Sequence, residues 1–211
     1  MLAAARNEEL GRKAAAKLQA EGLDVHFIHV DLDAHETAAT AADTIRNQFG
    51  KLDLLINNAA VSSKGDGSPS KVNIEAVETV MHTNYLGTVV VTQAMLPLLQ
   101  TAGKAQIINV SSELGSVSQH TDPGWKFVKV EALAYCASKA ALNMFTVQLA
   151  YEFRDGSIAV NSVNPGYTAT DLNGHSGPQT IEEGAAEIVR AGLLDPPVTA
   201  KFLETAGEIP W

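Results

Sequence analysis

Apolar positions along this chain follow two spacings, and their alternation outlines a fold. Residues 2–5, Leu-Ala-Ala-Ala, form a short apolar stub. Over residues 8–19, Leu10, Ala14 and Leu18 recur every four residues, the step of one helix face. Gly22 stands where a left-handed residue ends such a helix. Residues 25–30 (Val-His-Phe-Ile-His-Val) read as a strand, residues 34–48 as a helix closed by Gly50, and residues 52–56 as the next strand. A polar loop over 62–70 leads into one long helix over 74–100, then a strand at 106–110. A loop of about 20 residues precedes a helix over 132–153, followed by a strand at 157–163, a helix at 181–194 and a last strand at 198–203. Strands that are apolar nearly throughout and alternate with helices predict the α/β class: one domain, residues 1–211, with a doubly wound, mostly parallel sheet. Ligands of such sheets sit beyond the carboxyl ends of the strands. The residues there are Arg6, Asp31, Asn57-Asn58, Ser111-Ser112 and Asn164-Pro165-Gly166.

Composition narrows the function classes. With 45% hydrophobic and 18% charged residues over 211 positions, the chain is neither disordered nor fibrous. Its 24 acidic against 15 basic residues give a net charge of −9, which argues against a nucleic-acid or anionic-membrane surface. The lone Cys136 excludes an intrachain disulfide framework and a cysteine metal cluster, and fits a reducing compartment. No apolar run approaches the roughly 18–20 residues that span a bilayer. Arg6-Asn7-Glu8-Glu9 breaks any basic-then-apolar leader. His26, His29, His35, His82, His120 and His175 form no ligand spacing, so no metal is expected. The expectation is a cytoplasmic globule.

Candidate chemistry begins with Tyr135-Cys136-Ala137-Ser138-Lys139 at the start of a predicted helix. The four-residue step puts Tyr135 and Lys139 on one face, one turn apart. An ammonium so placed lowers a phenol's pKa from about 10 and readies it for proton exchange with a hydroxyl or carbonyl. The pair alone also occurs by chance in many helices. It has company, however. Ile107-Ile108-Asn109-Val110-Ser111-Ser112 ends a buried strand in two hydroxyls, and Asn57-Asn58-Ala59-Ala60 follows another strand. Asn84 lies inside the long helix, where its propensity is poor; it either reaches a buried group or simply faces solvent. Asn164-Pro165-Gly166 makes a turn with Thr168 and Thr170 nearby.

In this order and at these spacings, the residues resemble the short-chain dehydrogenase/reductase family. The resemblance runs over essentially the whole chain, from the family's second strand onward, through Asn-Asn-Ala-Ala, Asn84, Ile-Asn-Val-Ser-Ser, Tyr-x-x-x-Lys and Asn-Pro-Gly-x-x-x-Thr. It implies a Rossmann-like fold and an NADP(H)-dependent oxidoreductase, NADP(H) being favoured over NAD(H). Hydride would pass between nicotinamide and a ketone, aldehyde or alcohol. Tyr135 would be the general acid/base and, together with Lys139, a cofactor contact, Lys139 binding the nicotinamide ribose. Ser112, in preference to Ser111, would polarise the carbonyl, and Asn84 would join a water-linked proton relay. Among cofactor contacts, Asp31 would hold the adenine amino group, unless it is a helix N-cap. Asn57 would lie by the adenosine ribose and steady the central strands, and Thr168 and Thr170 would be hydroxyl donors. Arg6 would meet the 2′-phosphate, unless it is an ordinary surface arginine.

Three departures accompany the resemblance. Ala60 replaces the family's usual glycine. The 23 residues from Ser112 to Tyr135 form a longer interval than usual, with an insert carrying Trp125 and Phe127. That insert, Thr170-Asp171-Leu172-Asn173 and the ending Ala-Gly-Glu-Ile-Pro-Trp are similar to the carbonyl-reductase-like branch, whose inserts cover the usual dimer face. A monomer or homodimer is therefore expected. Finally, the sixteen glycines contain no Gly-x-x-x-Gly-x-Gly turn for a pyrophosphate, so the family's first β-α unit looks absent. The expectation is two unpaired strand edges, poor folding of the chain alone and weak NADPH binding. The rival reading is a catalytically inactive fragment or a non-enzymatic binding remnant.

Overall fold

The structure, a computed structural model, describes residues 1–195 and 197–211. Strand β1 (Leu2–Ala5) leads into α1 (Glu8–Ala20), whose first turn is capped by the Asn7 side chain accepting from the Leu10 N–H at 2.9 Å. Gly22 follows at φ 86°, and β2 (His26–His29) runs parallel to β1. Helix α2 (Glu36–Phe49) ends at Gly50, φ 77°, as the glycine pattern predicts. Next come β3 (Leu54–Asn57), α3 (Ile74–Met81) and α4 (Thr88–Thr101). The single long helix expected over 74–100 is interrupted by a π-helical turn at His82–Gly87. There Gly87 passes so close to Leu32 that a Cβ would lie 2.5 Å from its carbonyl oxygen.

The second half contains β4 (Ala105–Val110), α5 (Val117–His120), α6 (Leu133–Glu152), β5 (Ile158–Val163), α7 (Ile181–Gly192), β6 (Phe202–Glu204) and β7 (Gly207–Glu208). Two expectations need correction here. The loop before α6 is not structureless: a 3₁₀ turn at Glu113–Gly115 and the short α5 each start on a serine oxygen, Ser112 and Ser116. The last strand starts at Phe202 rather than 198 and turns back through Gly207, φ 132°, into antiparallel β7.

The strands form two sheets, a parallel pair β1-β2 and a five-stranded β3-β4-β5-β6-β7. Among the described residues, β1 pairs with β2 alone and β3 with β4 alone. One apolar core still serves both sheets: Ile28, Ile45, Met95, Leu99 and Ile107 belong to a single buried cluster under α2 and α4. On the opposite face Ile108, Val163, Ala191 and Leu203 pack beneath α7. Helices therefore lie on both faces, and adjacent residues of β4 serve opposite cores. The doubly wound α/β reading holds. Ile56, in register with the fully buried Ile108, is nevertheless 40% exposed, because the sheet is open beyond β3. Among the described residues, no helix is long and apolar enough to cross a membrane and no cluster of His, Cys, Asp or Glu is poised to hold a metal.

Candidate active site

Two elements assemble the site. Strand β4 ends at Val110 and delivers Ser111 and Ser112, while the first turns of α6 carry Tyr135 and Lys139. Their approach depends on Gly115, where a Cβ would lie 2.7 Å from the carbonyl carbon of Lys139. A side chain there would push α6 away from the strand end. Ser112, Tyr135 and Lys139 line one cavity of about 770 Å³. Asn58, Thr168 and Thr170 line it as well. The cavity lies beyond the carboxyl ends of β3, β4 and β5, where open α/β sheets bind ligands.

Burial governs the electrostatics. The Tyr135 phenol is pushed up to about 12, first by desolvation and then by Cys136 alongside, while a hydrogen bond with the Ser112 hydroxyl works the other way. The expectation that Lys139 draws this phenol below its ordinary value is thus overturned. The Lys139 ammonium lies 5.6 Å from the ring centroid and donates instead to the Val110 carbonyl at 2.8 Å. Desolvation brings Lys139 itself down to about 8. Near neutral pH the site therefore holds a protonated phenol above a charged lysine. The neighbouring Cys136 thiol, pushed up to about 11 by burial and then by Asp66, stays protonated.

Asn84 is not solvent-facing. Its Oδ1 accepts from the Val61 N–H at 2.8 Å, and its Nδ2 donates to the Val61 carbonyl at 3.0 Å and to Ser138 Oγ at 3.1 Å. The π-helical turn thereby ties the loop after β3 to the turn between Tyr135 and Lys139. Asn57 turns inward, donating to Thr92 Oγ1 at 2.9 Å and Asn109 Oδ1 at 2.8 Å. Asn109 passes the chain on to Thr146 at 2.8 Å, and Thr146 meets Ser162 at 2.9 Å. This buried polar seam joins β3, β4, α6 and β5 beneath the site. Sequence reasoning missed Asn109, Thr146 and Ser162; the available signal was a polar residue inside each apolar strand or helix.

Two of the remaining candidates lie apart from the cavity. Arg6 and Asp31, at the ends of β1 and β2, do not line the cavity. Arg6 is exposed and stands 3.9 Å from Asp33. Asp31 does not cap α2; its Oδ1 accepts from the Asp33 N–H at 3.0 Å. Thr168 bridges to Gln179, and the Thr170 N–H donates to Asn173 Oδ1 at 3.2 Å, so both belong to the loop that roofs the cavity. The insert adds a wall of aromatic edges: Trp125 against Phe127 at 5.7 Å and Phe127 against Tyr167 at 6.3 Å. Lys126 anchors this wall on the buried Glu113 at 2.9 Å.

The chain is similar to known proteins in sequence and in fold. Residues 1–180 match the profile of the family described as short chain dehydrogenase. The chain is 34% identical over 202 residues to the short-chain dehydrogenase anuI of Penicillium roqueforti, covering 93% of this chain and 79% of that protein. It is 29% identical to carbonyl reductase [NADPH] 1 of Mus musculus over 99% of this chain and 87% of that one. Among solved structures, NADPH-bound carbonyl reductase from chicken fatty liver superposes with a TM-score of 0.85 at 25% identity, covering 100% of this chain and 87% of that chain. Carbonyl reductase Sniffer of D. melanogaster gives 0.85 at 26% identity, with the same coverage.

Proposed function

The chain belongs to the short-chain dehydrogenase family, and from that premise we propose that it is an NADP(H)-dependent reductase of ketones or aldehydes. The observation carrying this reading is one cavity lined together by the Ser112 hydroxyl, the Tyr135 phenol and the Lys139 ammonium. Ser112 donates to the substrate oxygen and holds the carbonyl in place. Tyr135, protonated near neutral pH, gives its proton to that oxygen as negative charge develops on it. Lys139, fixed from Val110, keeps positive charge beneath the phenol as the proton leaves. The apolar walls from Phe127, Val130, Leu172 and Tyr167 favour an apolar or aromatic carbonyl.

The cofactor end of the site fits NADP(H) in part. The Ser111 hydroxyl is buried on the cavity wall without a partner among the described residues, and the Lys139 ammonium has donors beyond the one Val110 accepts. Lys139 would hold the nicotinamide ribose, and exposed Arg6 would take the 2′-phosphate, as the resemblance to NADPH carbonyl reductases supports. Bound NADPH supplies the hydride. A second reading is a non-catalytic remnant of the same family that does not seat the pyrophosphate, since these 211 residues hold no Gly-x-x-x-Gly-x-Gly pattern.

The deciding experiment offers the chain NADPH and a panel of aryl and alkyl ketones, with Tyr135→Phe as control. Ketone-dependent NADPH oxidation that the variant loses supports the reductase. Absence of saturable NADPH binding, together with absence of turnover on every ketone, supports the remnant.

A further inference from the structure

Helix α6 begins without a cap of its own. Its N-cap residue, Ala132, has no side chain able to accept a hydrogen bond. The exposed N–H groups are met instead from the loop after β3, which lies far away in sequence. Leu133 N–H donates to the Gly67 carbonyl at 3.0 Å. Ala134 N–H donates to Asp66 Oδ1 at 2.8 Å, and Tyr135 N–H to Asp66 Oδ2 at 3.0 Å. Both carboxylate oxygens are thus engaged by consecutive amides, one of them belonging to Tyr135.

The loop is itself braced. Asn73 N–H donates to the Gly65 carbonyl at 3.0 Å while the Asn73 side chain caps α3. Gly65 is seated so closely on α3 that a Cβ would meet the Cβ atoms of Asn73 and Ala76 at 3.2 Å. Asp66 also holds its own turn, through Gly67 N–H at 2.8 Å, and lines the cavity. A carboxylate held this way favours the positive end of α6 and fixes where its first turn sits. Tyr135 stands on that turn.

We infer that Asp66 is a positioning residue for Tyr135, setting the phenol against Ser112 by clamping the first turn of α6 from the β3 loop. This rests on the reading of Tyr135 as proton donor. A misplacement of about 1 Å at a reacting group costs on the order of a hundredfold, so releasing the clamp should cut turnover by about 10- to 100-fold.

The test uses the full chain with ¹³C-labelled tyrosine at four positions, Tyr85, Tyr135, Tyr151 and Tyr167, with Tyr135→Phe assigning one signal. Asp66→Ala removes both acceptors; the near-isosteric Asp66→Asn keeps one and presents an amide to the other N–H. The Tyr135 signal should move in both variants, further in Asp66→Ala, while Tyr151 at the far end of the same helix stays put. In turnover, kcat should fall with NADPH affinity held within about twofold, and Asp66→Asn should be the milder change. A Tyr135 signal that stays put in the folded Asp66 variants overturns the assignment, with or without measurable turnover. Tyr135→Phe retaining more than half the normal rate would instead refute the proton-donor reading, leaving the signal shift to be judged by itself.

Discussion

The β1-β2 pair and the β4-β5 pair are both parallel, yet they are stabilised very differently. Every residue of β5 is buried, and five of the six in β4. No residue of β1 is buried, and three of its four side chains are a Cβ or little more. Strands β4 and β5 are paired on both edges, whereas β1, among the described residues, meets only β2. The catalytic candidates Ser112, Tyr135 and Lys139 are built on the first kind of structure. The cofactor-phosphate candidate Arg6 extends from the second. The contrast separates positioning of the reacting groups, which demands rigidity, from capture of a flexible phosphate, which tolerates less.

Hydrogen exchange tests this contrast most severely. Amides of β1 and β2 should exchange at least about a hundredfold faster than those of β4 and β5, since few apolar contacts secure their opening. Equal protection of the two regions would mean that the amino-terminal pair is locked by contacts not evident from burial. Saturation with NADPH should slow β1 more than β4.

A smaller effect sharpens the same contrast through Arg6. Arg6→Ala should weaken NADPH by about ten- to a hundredfold, the value of a charge-assisted phosphate contact, and leave NADH nearly unchanged. Equal losses of both in a titration would make Arg6 structural. Its distant pairing with Asp33 already leaves the guanidinium free to be recruited.

The smallest effect lies at Lys139, whose ammonium is held at about 8, below its ordinary value, by burial. The unfolded chain then binds the proton more tightly, so this residue weakens folding most below about pH 8. The penalty fades as pH climbs towards the ordinary lysine value. Lys139→Met should therefore melt about 2–8 °C higher than the parent near pH 7, with the gap closing towards about pH 9.5, while turnover falls. A gap that widens with pH would contradict the burial account.

Much of the architecture was legible because both spacings are local. The four-residue step placed Tyr135 and Lys139 together, and the apolar runs marked β3, β4 and β5. What was not legible crosses elements. The Asn57–Asn109–Thr146–Ser162 seam joins four of them, and each member alone is an unremarkable polar residue. Asp66 acts on amides 68 and 69 positions away. The sign of the Tyr135 shift failed for a related reason. Spacing gives the neighbourhood of Lys139 but not the depth of the phenol, and burial outweighs a charge 5.6 Å from the ring. The π-helical turn escaped notice because residues 74–100 carry a helical pattern throughout, while the close approach of its Gly87 to Leu32 is tertiary.

In the proposed reaction Ser112 and Tyr135 serve one substrate oxygen over Lys139. Turnover and NADPH affinity of Ser112→Ala, Tyr135→Phe and the double variant test it together. The account predicts that each single change lowers kcat by about 10²–10⁴, that the double change costs little more than either, and that NADPH affinity stays within about twofold. Either single variant keeping more than half of the parent's rate, or losses that multiply in the double variant, would contradict it.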